Sequence, residues 1–524
     1  MATDADGIVA AISGTLHNAD DLRGALGLAG VDAGGAIEPA ALVAGCYRRW
    51  GIECFARLTG DWAVVILDAH RERVMMARDF VGTCPLYYRL DSNALRWSSN
   101  LHALRSPGPI VRRADPAYLA GFLTGRVPRS RTPFIDVRSV PPGHVVVCDK
   151  ALGAPRMISF WRPTTQPEWR QRTDEECANQ LHALLREAVD CRLPSSARAR
   201  VWIELSGGLD SSTIVATAAA VACRRPVDVT TVTYVFDQST TADERRYSRA
   251  VRDRFGLAAT ELREGSYSLF FHDATAPATT TATLSAPQEP IPGGGRVSAL
   301  IQAMRAAGAS VLLSGSGGDS VMWNAREPRL DLADLARRFR VRALLERIRR
   351  YREHDLCSYR DLLWNNTLAP ALSGPGARHH LDAIRHAIDL IAPGDFGSFG
   401  DVAVSYPFFD RRIIDFMLSI PFEQKRAPGS TRALHRRAVA GMLPECVTQR
   451  VAKVGAAEPL YRAVRREWPR VRALFGEESV LARLGLIDVR RMIAALERVR
   501  AGLDAEPFAL MRTISLEAWL QCSS

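Results

Sequence analysis

Four things are missing from this chain, and each absence removes a class of protein. There is no C-x-x-C pair: the ten cysteines, at 46, 54, 84, 148, 177, 191, 223, 357, 446 and 522, are scattered. That argues against a zinc ribbon or a thiol redox centre and suits reduced structural thiols. There is no apolar run of about 18 residues or more, so no transmembrane segment is expected. The opening stretch, MATDADGIVAAISG, is acidic where a secretory signal is basic, so a cytoplasmic protein is expected. Finally, the glycine-rich stretch IELSGGLDSSTIV at 203–215 holds no cation. Kinase-type phosphate loops place a lysine there, in the pattern G-x-x-x-x-G-K-[ST]. Here the charged residue of the turn is an acid, Asp210.

What is present is ordinary in bulk. The 524 residues are 47% hydrophobic and 24% charged, the balance of a soluble globular protein long enough for two domains or more. A net charge of +11 suits a nucleic-acid partner, or an Arg-rich protein that handles nucleotide and pyrophosphate; charge alone does not choose. Residues 1–160 read as short alternating strands with a few helices, 61–70 and 72–80 as a strand pair, and 140–149 as a turn feeding another strand. The polar, proline-containing stretch 160–176 reads as a linker, with Thr173 or Asp174 capping a helix that begins near Glu175. Beyond it, strands at 199–205, 227–236 and 309–315 alternate with helices at 212–224 and 243–256. That alternation implies a parallel, doubly wound sheet, which binds ligands beyond the carboxyl ends of its strands. The rest of the chain, past position 330, reads as helical.

Two glycine turns follow strands. The first, SGGLDSS at 206–212, offers backbone N–H groups, serine hydroxyls and a helix N-terminus to an anion. The second, SGSGGDS at 314–320, repeats the recipe and carries Asp319. Asp210 and Asp319 make sense as ligands of a Mg²⁺ ion that accompanies a phosphate group. Each turn is also open to a plainer reading, a tight turn capped by an Asp. Elsewhere, 336–352 carries eight arginines and reads as a solvated helix face with Leu344, Leu345 and Ile348 turned inward, or as a docking surface. His379 and His380 lack companion ligands at metal spacing and read as surface residues, while Trp323 and Trp364 suit a core or a peptide pocket.

SGGLDSS resembles the pyrophosphate-binding loop of the ATP pyrophosphatase, or PP-loop, family, whose members cleave ATP between the α and β phosphates to adenylate an oxygen. DERRYSRAV (243–251), SGSGGDS, YPFFDRRIIDFMLSIP (406–421) and RALHRRAVAGMLPECV (432–447) resemble, in that order, the synthetase domain of asparagine synthetase B relatives. WGIECFARLTGDWAVVILD (50–68), ARDFVGTCPLYY (77–88) and VPPGH (140–144) resemble the glutaminase domain of the same enzymes. The resemblance implies an α/β chain of two parts. Residues 1–160 would form a degenerate class II glutaminase-like α+β domain with stacked antiparallel sheets. Residues 174–524 would form an ATP-dependent synthetase domain on a doubly wound parallel sheet with a helical C-terminal part. It further implies ATP and Mg²⁺ as cofactors. ATP or pyrophosphate would be held by Leu205, Ser206, Gly207, Gly208, Asp210, Ser211, Ser212, Ser314 and Gly315, metal by Asp210 and Asp319, and Lys453 would be catalytic.

The departures from the family pattern select among its members. Where the glutaminases use a cysteine after the initiator methionine, this sequence has Ala2, and its first cysteine is Cys46. The amine must then come from elsewhere, most simply from the substrate itself. β-Lactam synthetases carry a tyrosine in the second turn, paired with a later glutamate; here Ser316 stands at that place and 389–410 holds no glutamate. Asparagine synthetases have a glutamate in that turn and E-x-R before P-F-L-D, against Ser316 and the AVS of 403–405 here. The small turn suits a bulky peptide, as in lasso-peptide cyclases, and Arg450 with Lys453 resembles their R-x-x-K. The expected partners are a linear precursor (core) peptide and the leader peptidase and leader-binding protein of the same pathway, with no nucleic acid. A β-lactam or carbapenam-type synthetase, an ammonia-dependent asparagine synthetase and a PP-loop tRNA-modifying enzyme are the alternatives.

Overall fold

The computed structural model describes residues 2–3, 7–28, 38–92, 94–106, 108, 110–150, 154–194, 199–237, 239, 243–271, 286–287, 294–324, 330–355, 359–363, 376–391, 402–450, 457–503 and 507–522. The front part is built on two antiparallel sheets. The larger has the order β1 (Ala2–Thr3), β2 (Ile8–Leu16), β3 (Gly60–Asp68), β4 (Arg73–Arg78), β8 (His144–Asp149), β9 (Arg156–Ser159). The smaller has the order β6 (Ala94–Ser98), β5 (Tyr87–Asp91), β7 (Arg138–Ser139). The expected pair at 61–70 and 72–80 is β3 with β4, in register from Ala63 opposite Arg78 to Asp68 opposite Arg73. Strand β3 is apolar at consecutive positions because both its faces are covered. Val64 and Ile66 pack with Val145 and Val147 under the helix Pro39–Trp50, while Ala63 and Val65 pack with Leu86 and Val140 toward the smaller sheet. Period-two alternation therefore sorts these side chains between two cores rather than between core and water.

Thr173 closes the linker. Its hydroxyl accepts from the N–H of Glu176 (3.2 Å) while the Glu176 carboxylate accepts from the N–H of Thr173 (2.8 Å), a capping box that starts the helix Asp174–Asp190. The second half carries a five-stranded parallel sheet in the order β12 (Ala258–Arg263), β11 (Asp228–Val235), β10 (Arg200–Glu204), β13 (Ala309–Leu313), β14 (Ala403–Ser405). The chain winds outward from β10 through β11 to β12, then returns to place β13 on the other side of β10. The gap above β10 and β13 is thus the point where strand order reverses, and both glycine turns open into it. The helix Leu209–Ala222 lies against the sheet with apolar and small polar residues buried around its whole circumference. Strand β14 breaks the helical reading of the rear half: only three residues long, it has too little length to show a period and is set by its pairing with β13. Among the described residues no helix is long and apolar enough to cross a membrane, and no disulfide joins the nine described cysteines.

Contacts of two kinds join the halves, apolar and ionic. Leu516, Trp519 and Leu520 of the helix Pro507–Cys522 pack on Tyr118, Phe122 and Phe134 of the front part. The other is ionic: Arg192 reaches Asp410 (2.8 Å) within its own half and Asp61 (3.3 Å) in the front part, and also donates to Ser405 Oγ (2.9 Å). Asp410, the acid of the YPFFD stretch, also takes Arg412 (2.8 Å) and caps the helix Arg411–Ser419. Burial pushes the Asp410 carboxyl up, but the hydrogen bonds of Arg412 and the charge of Arg192 outweigh it and hold it well below the ordinary carboxylate range. His17, Cys191 and Asp410 each present a ligand atom within 4.8 Å of one another. With two guanidiniums already on Asp410, and His17 held neutral by burial and Arg192 with its pKa lowered to about 4, this cluster is an ion-pair hub rather than a metal centre.

Two expectations are corrected here. Leu344 is half-buried and Ile348 buried, but Leu345 is 60% exposed, because the helix Val341–Asp355 packs through Ile348, Tyr351 and Arg347, the last paired with buried Asp331 at 2.9 Å. His380 is fully buried, its Nε2 on the carbonyls of Ser320 and Val321 and its Nδ1 at 3.1 Å from Lys425 Nζ. Trp323 packs edge-on against His380 and Phe422, a core position, and Trp364 lies outside the described residues.

Arg192→Met removes the buried cation that Asp61 and Asp410 share and should lower stability by about 3–5 kcal/mol, against less than about 1 kcal/mol for Arg350→Ala at an exposed pair. Because the Asp410 carboxyl is depressed in the fold, its contribution is present above the unfolded carboxylate range and lost as pH falls through the folded value. Denaturation of the wild type and Arg192→Met between pH 3 and 7, on the order of one unit per step, checks both statements, the variant losing stability on the acid side at higher pH.

Candidate functional site

The first turn leaves the sheet at Glu204. Leu205 is buried and its N–H still pairs with the Val232 carbonyl (2.8 Å), so it belongs to the sheet edge. Gly207 has φ +73°, and a Cβ there would lie 2.4 Å from Cβ of Tyr247 on the helix Arg245–Phe255, so that helix closes down on the loop and only glycine fits. The helix Leu209–Ala222 then begins, with Gly208 at its cap and its first-turn N–H groups directed at the opening. Ser211 Oγ receives the N–H of Ser206 (3.2 Å) and lies 3.1 Å from Ser206 Oγ, which curls the turn. Ser212 is fully buried, and its hydroxyl has no hydrogen-bond partner among the described residues.

The second turn is pressed against the first. A Cβ at Gly315 would lie 2.9 Å from the Ser211 nitrogen, one at Gly318 would lie 2.6 Å from Asp210 Cγ, and Gly317, with φ +88°, is capped by the Phe409 ring. The glycines of SGSGGDS are therefore there to let the Asp210 turn approach. That is more than a capped turn by itself requires. Ser314, buried, donates to Glu204 (2.5 Å) and lies 3.0 Å from Ser316 Oγ.

This contact brings Asp210 and Asp319 to one place. Arg432 Nη1 lies 3.0 and 2.8 Å from the two Asp210 oxygens and 3.1 Å from Asp319 Oδ1. Asn324 Nδ2 also donates to Asp319 Oδ1 (2.8 Å), and Thr431 Oγ1 donates to Asn324 Oδ1 (3.0 Å). Beneath them His435 lies with Nδ1 3.6 Å from Asp210 and Nε2 2.9 Å from Thr213 Oγ1. Burial, reinforced by Arg432 and Arg436, keeps that imidazole neutral. Two carboxylates from neighbouring strand ends, meeting around a cationic nitrogen beside a helix N-terminus, form a hard-oxygen donor set that fits Mg²⁺.

Lys453 lies outside the described residues, but the chain leading to it is anchored. Arg450 pairs with Glu244 and stacks on the Tyr247 ring at 4.3 Å, and Arg436 binds the carbonyls of Thr448 and Arg450. Of the expected site residues, then, Leu205, Ser206, Gly207, Gly208, Asp210, Ser211, Ser212, Ser314, Gly315 and Asp319 gather at the switch point between β10 and β13. Sequence reasoning missed Arg432, whose motif stretch was quoted without a role. It also missed Glu204, which accepts from Tyr234 OH (3.2 Å) and Ser314. An acid ending the apolar strand VWIE directly before the loop was the available signal for Glu204; Arg432 had none.

Residues 180–521 match the family model described as Asparagine synthase, and residues 1–161 match the one described as Glutamine amidotransferase domain. The chain is 26% identical to a glutamine-hydrolyzing asparagine synthetase 3 of Bacillus subtilis, covering 84% of this chain and 74% of that one. It is also 26% identical to the carboxyethyl-arginine beta-lactam-synthase of Streptomyces clavuligerus, covering 86% and 73%. The match to amidase chry2 of Gibberella zeae, 26% identical, covers 53% of this chain and 42% of that one. The chain thus spans well under half the length of that fungal relative. With a matching model across most of its length and the glycine turns in place, the chain belongs to the asparagine synthase family.

Proposed function

We propose that this chain is an ATP-dependent, AMP-forming carbon–nitrogen ligase. It activates an Asp or Glu side-chain carboxylate of a linear precursor peptide and closes a macrolactam ring with the peptide's own N-terminal amine, the reaction of lasso-peptide biosynthesis. The observation that carries the ligase reading is the meeting of Asp210 and Asp319 at the strand-order reversal, beside the serine-lined loop.

The loop N–H groups and the hydroxyls of Ser206, Ser211 and Ser212 hold the polyphosphate, with Ser314 and Gly315 completing the wall. Asp210 and Asp319 hold Mg²⁺, which when bound supplies charge neutralisation for the leaving pyrophosphate. The substrate carboxylate attacks the α-phosphate, pyrophosphate departs, and the peptide amine displaces AMP. Lys453 stabilises the negative charge of these steps. The chain has three lysines: Lys150 is exposed and paired with Glu72, and Lys425 is fully buried against Phe422 and His380, which leaves Lys453 for this role. Holding both ends of one peptide supplies much of the rate, because the amine is already tethered to the acid.

The environment of the front-part cysteines supports an amine from the substrate over one from glutamine. All four cysteines of the front part are held as thiols: burial pushes Cys46 and Cys148 up to about 11, and Cys54 and Cys84 further still. A glutamine-cleaving thiolate needs the opposite environment. A β-lactam-type synthetase is the second reading, favoured by the Glu204–Tyr234 pair, an acid and a phenol 3.2 Å apart beside the second turn. The peptide partner, the leader peptidase and the leader-binding protein belong to the first reading.

With ATP, Mg²⁺ and a linear precursor peptide carrying an internal acid, the protein should release AMP and pyrophosphate and yield a product lighter by one water. ADP as the nucleotide product overturns adenylation. Asp210→Asn and Lys453→Ala should each lower turnover by about a hundredfold or more while the protein stays folded. A glutamate-release assay with free glutamine should stay at background, and measurable release would return the amine source to the front part.

A further inference from the structure

We infer that Arg432 is a resident counterion of the two-aspartate site: it holds Asp210 and Asp319 together before nucleotide arrives and gives up that position to a divalent cation that enters with the polyphosphate. This rests on the nucleotide-binding reading above. Asp210 is 7% exposed and the more open Asp319, its side chain 47% exposed, lies beside it, so with no cation between them the two carboxylates would repel. A guanidinium is permanently charged and so fills that need at any working pH. One nitrogen, Nη1, makes all three carboxylate contacts, while Nε is buried without a hydrogen-bond partner among the described residues. Arg–carboxylate pairs are frequently bidentate, fork against fork. Here a single nitrogen touches both acids, as a point charge would.

The backbone points the same way. Arg432 has φ +56°, a left-handed conformation that costs a residue with a side chain about 1–2 kcal/mol and recurs at functional sites. It follows Thr431, whose hydroxyl steers Asn324 onto Asp319, so one strained turn delivers both the guanidinium and the group that orients the second carboxylate. A free divalent cation must expel the guanidinium with nothing to receive it. A cation arriving with a triphosphate brings phosphate oxygens that the released guanidinium can bind. The site should therefore refuse the metal alone and accept it together with nucleotide.

Mn²⁺, followed by the electron paramagnetic resonance signal of the free ion, is the probe, with the full chain and no nucleotide. The wild type should bind it weakly. The neutral variants Arg432→Met and Arg432→Gln should each bind it at least about tenfold more tightly, and adding Asp210→Asn to either should remove the gain. Arg432→Lys, which keeps the charge, should stay near the wild type. Should a neutral variant fold poorly, its melting temperature in Mn²⁺ provides the second reading: Mn²⁺ should raise it toward the wild-type value while leaving the wild type unmoved. Equal Mn²⁺ affinity in the wild type and the neutral variants, or a variant melting temperature that ignores Mn²⁺, overturns the inference. If the gain appears but ATP fails to bind, the counterion stands and the nucleotide reading falls. If ATP binds and the gain is absent, the reverse holds.

Discussion

The site depends on one close approach: two strand-end turns meet with no room for a side chain between them. Gly315 against Ser211 and Gly318 against Asp210 bring the carboxyl ends of β10 and β13 nearer than any residue with a Cβ would permit. A parallel sheet that reverses its strand order at this point leaves an opening above it, and the glycines set how narrow that opening is. The two acids meet because the backbones that carry them meet. Gly207 applies the same logic a third time, letting the helix Arg245–Phe255 settle on the loop from the side.

Charge inside this protein follows a repeated scheme, one arginine between two aspartates. Arg192 sits between Asp61 and Asp410 where the halves meet, and Arg432 sits between Asp210 and Asp319 at the candidate site. The two differ in what surrounds them. Arg192 uses Nε, Nη1 and Nη2 on separate acceptors, including Ser405, and is held on every side. Among the described residues, Arg432 meets its acids through one nitrogen, Nη1, and its Nε has no hydrogen-bond partner. A saturated guanidinium is architecture, and an unsaturated one beside an opening is free to be exchanged. The fold thus uses the same residue types as a bolt in one place and as a placeholder in the other.

Much of this was legible beforehand, for physical reasons. The pair β3 and β4, the parallel strands β10, β11 and β13 and the loop that follows β10 all carry patterns set by local periodicity and turn chemistry, and those survive reading one residue at a time. The Thr173 cap was legible because its partner, Glu176, lies three residues on. What was not legible depends on contacts distant in sequence. Strand β14 exists because β13 offers it an edge. His380 is buried because Ser320, Val321 and Lys425 surround it, and Leu345 is exposed because Arg347, committed to Asp331, fixes which side of its helix faces inward. Arg432 could be found only from a backbone angle and three distances. Lys453, named from motif spacing, lies outside the described residues, and Arg450, three residues before it, stacks on Tyr247.

The helix Leu209–Ala222 has a consequence for how such an enzyme acquires new substrates. Nearly all its residues from Leu209 to Val221 are buried, so there is no solvent-facing stripe on which substitutions accumulate silently. A pedestal engaged on all sides keeps the loop at its tip in register, and it also bars adaptation from that quarter. Descendants that come to accept different acids or amines must change elsewhere, in the loops that overhang the sheet edge, while the loop proposed to hold the phosphates stays locked by the packing of its helix.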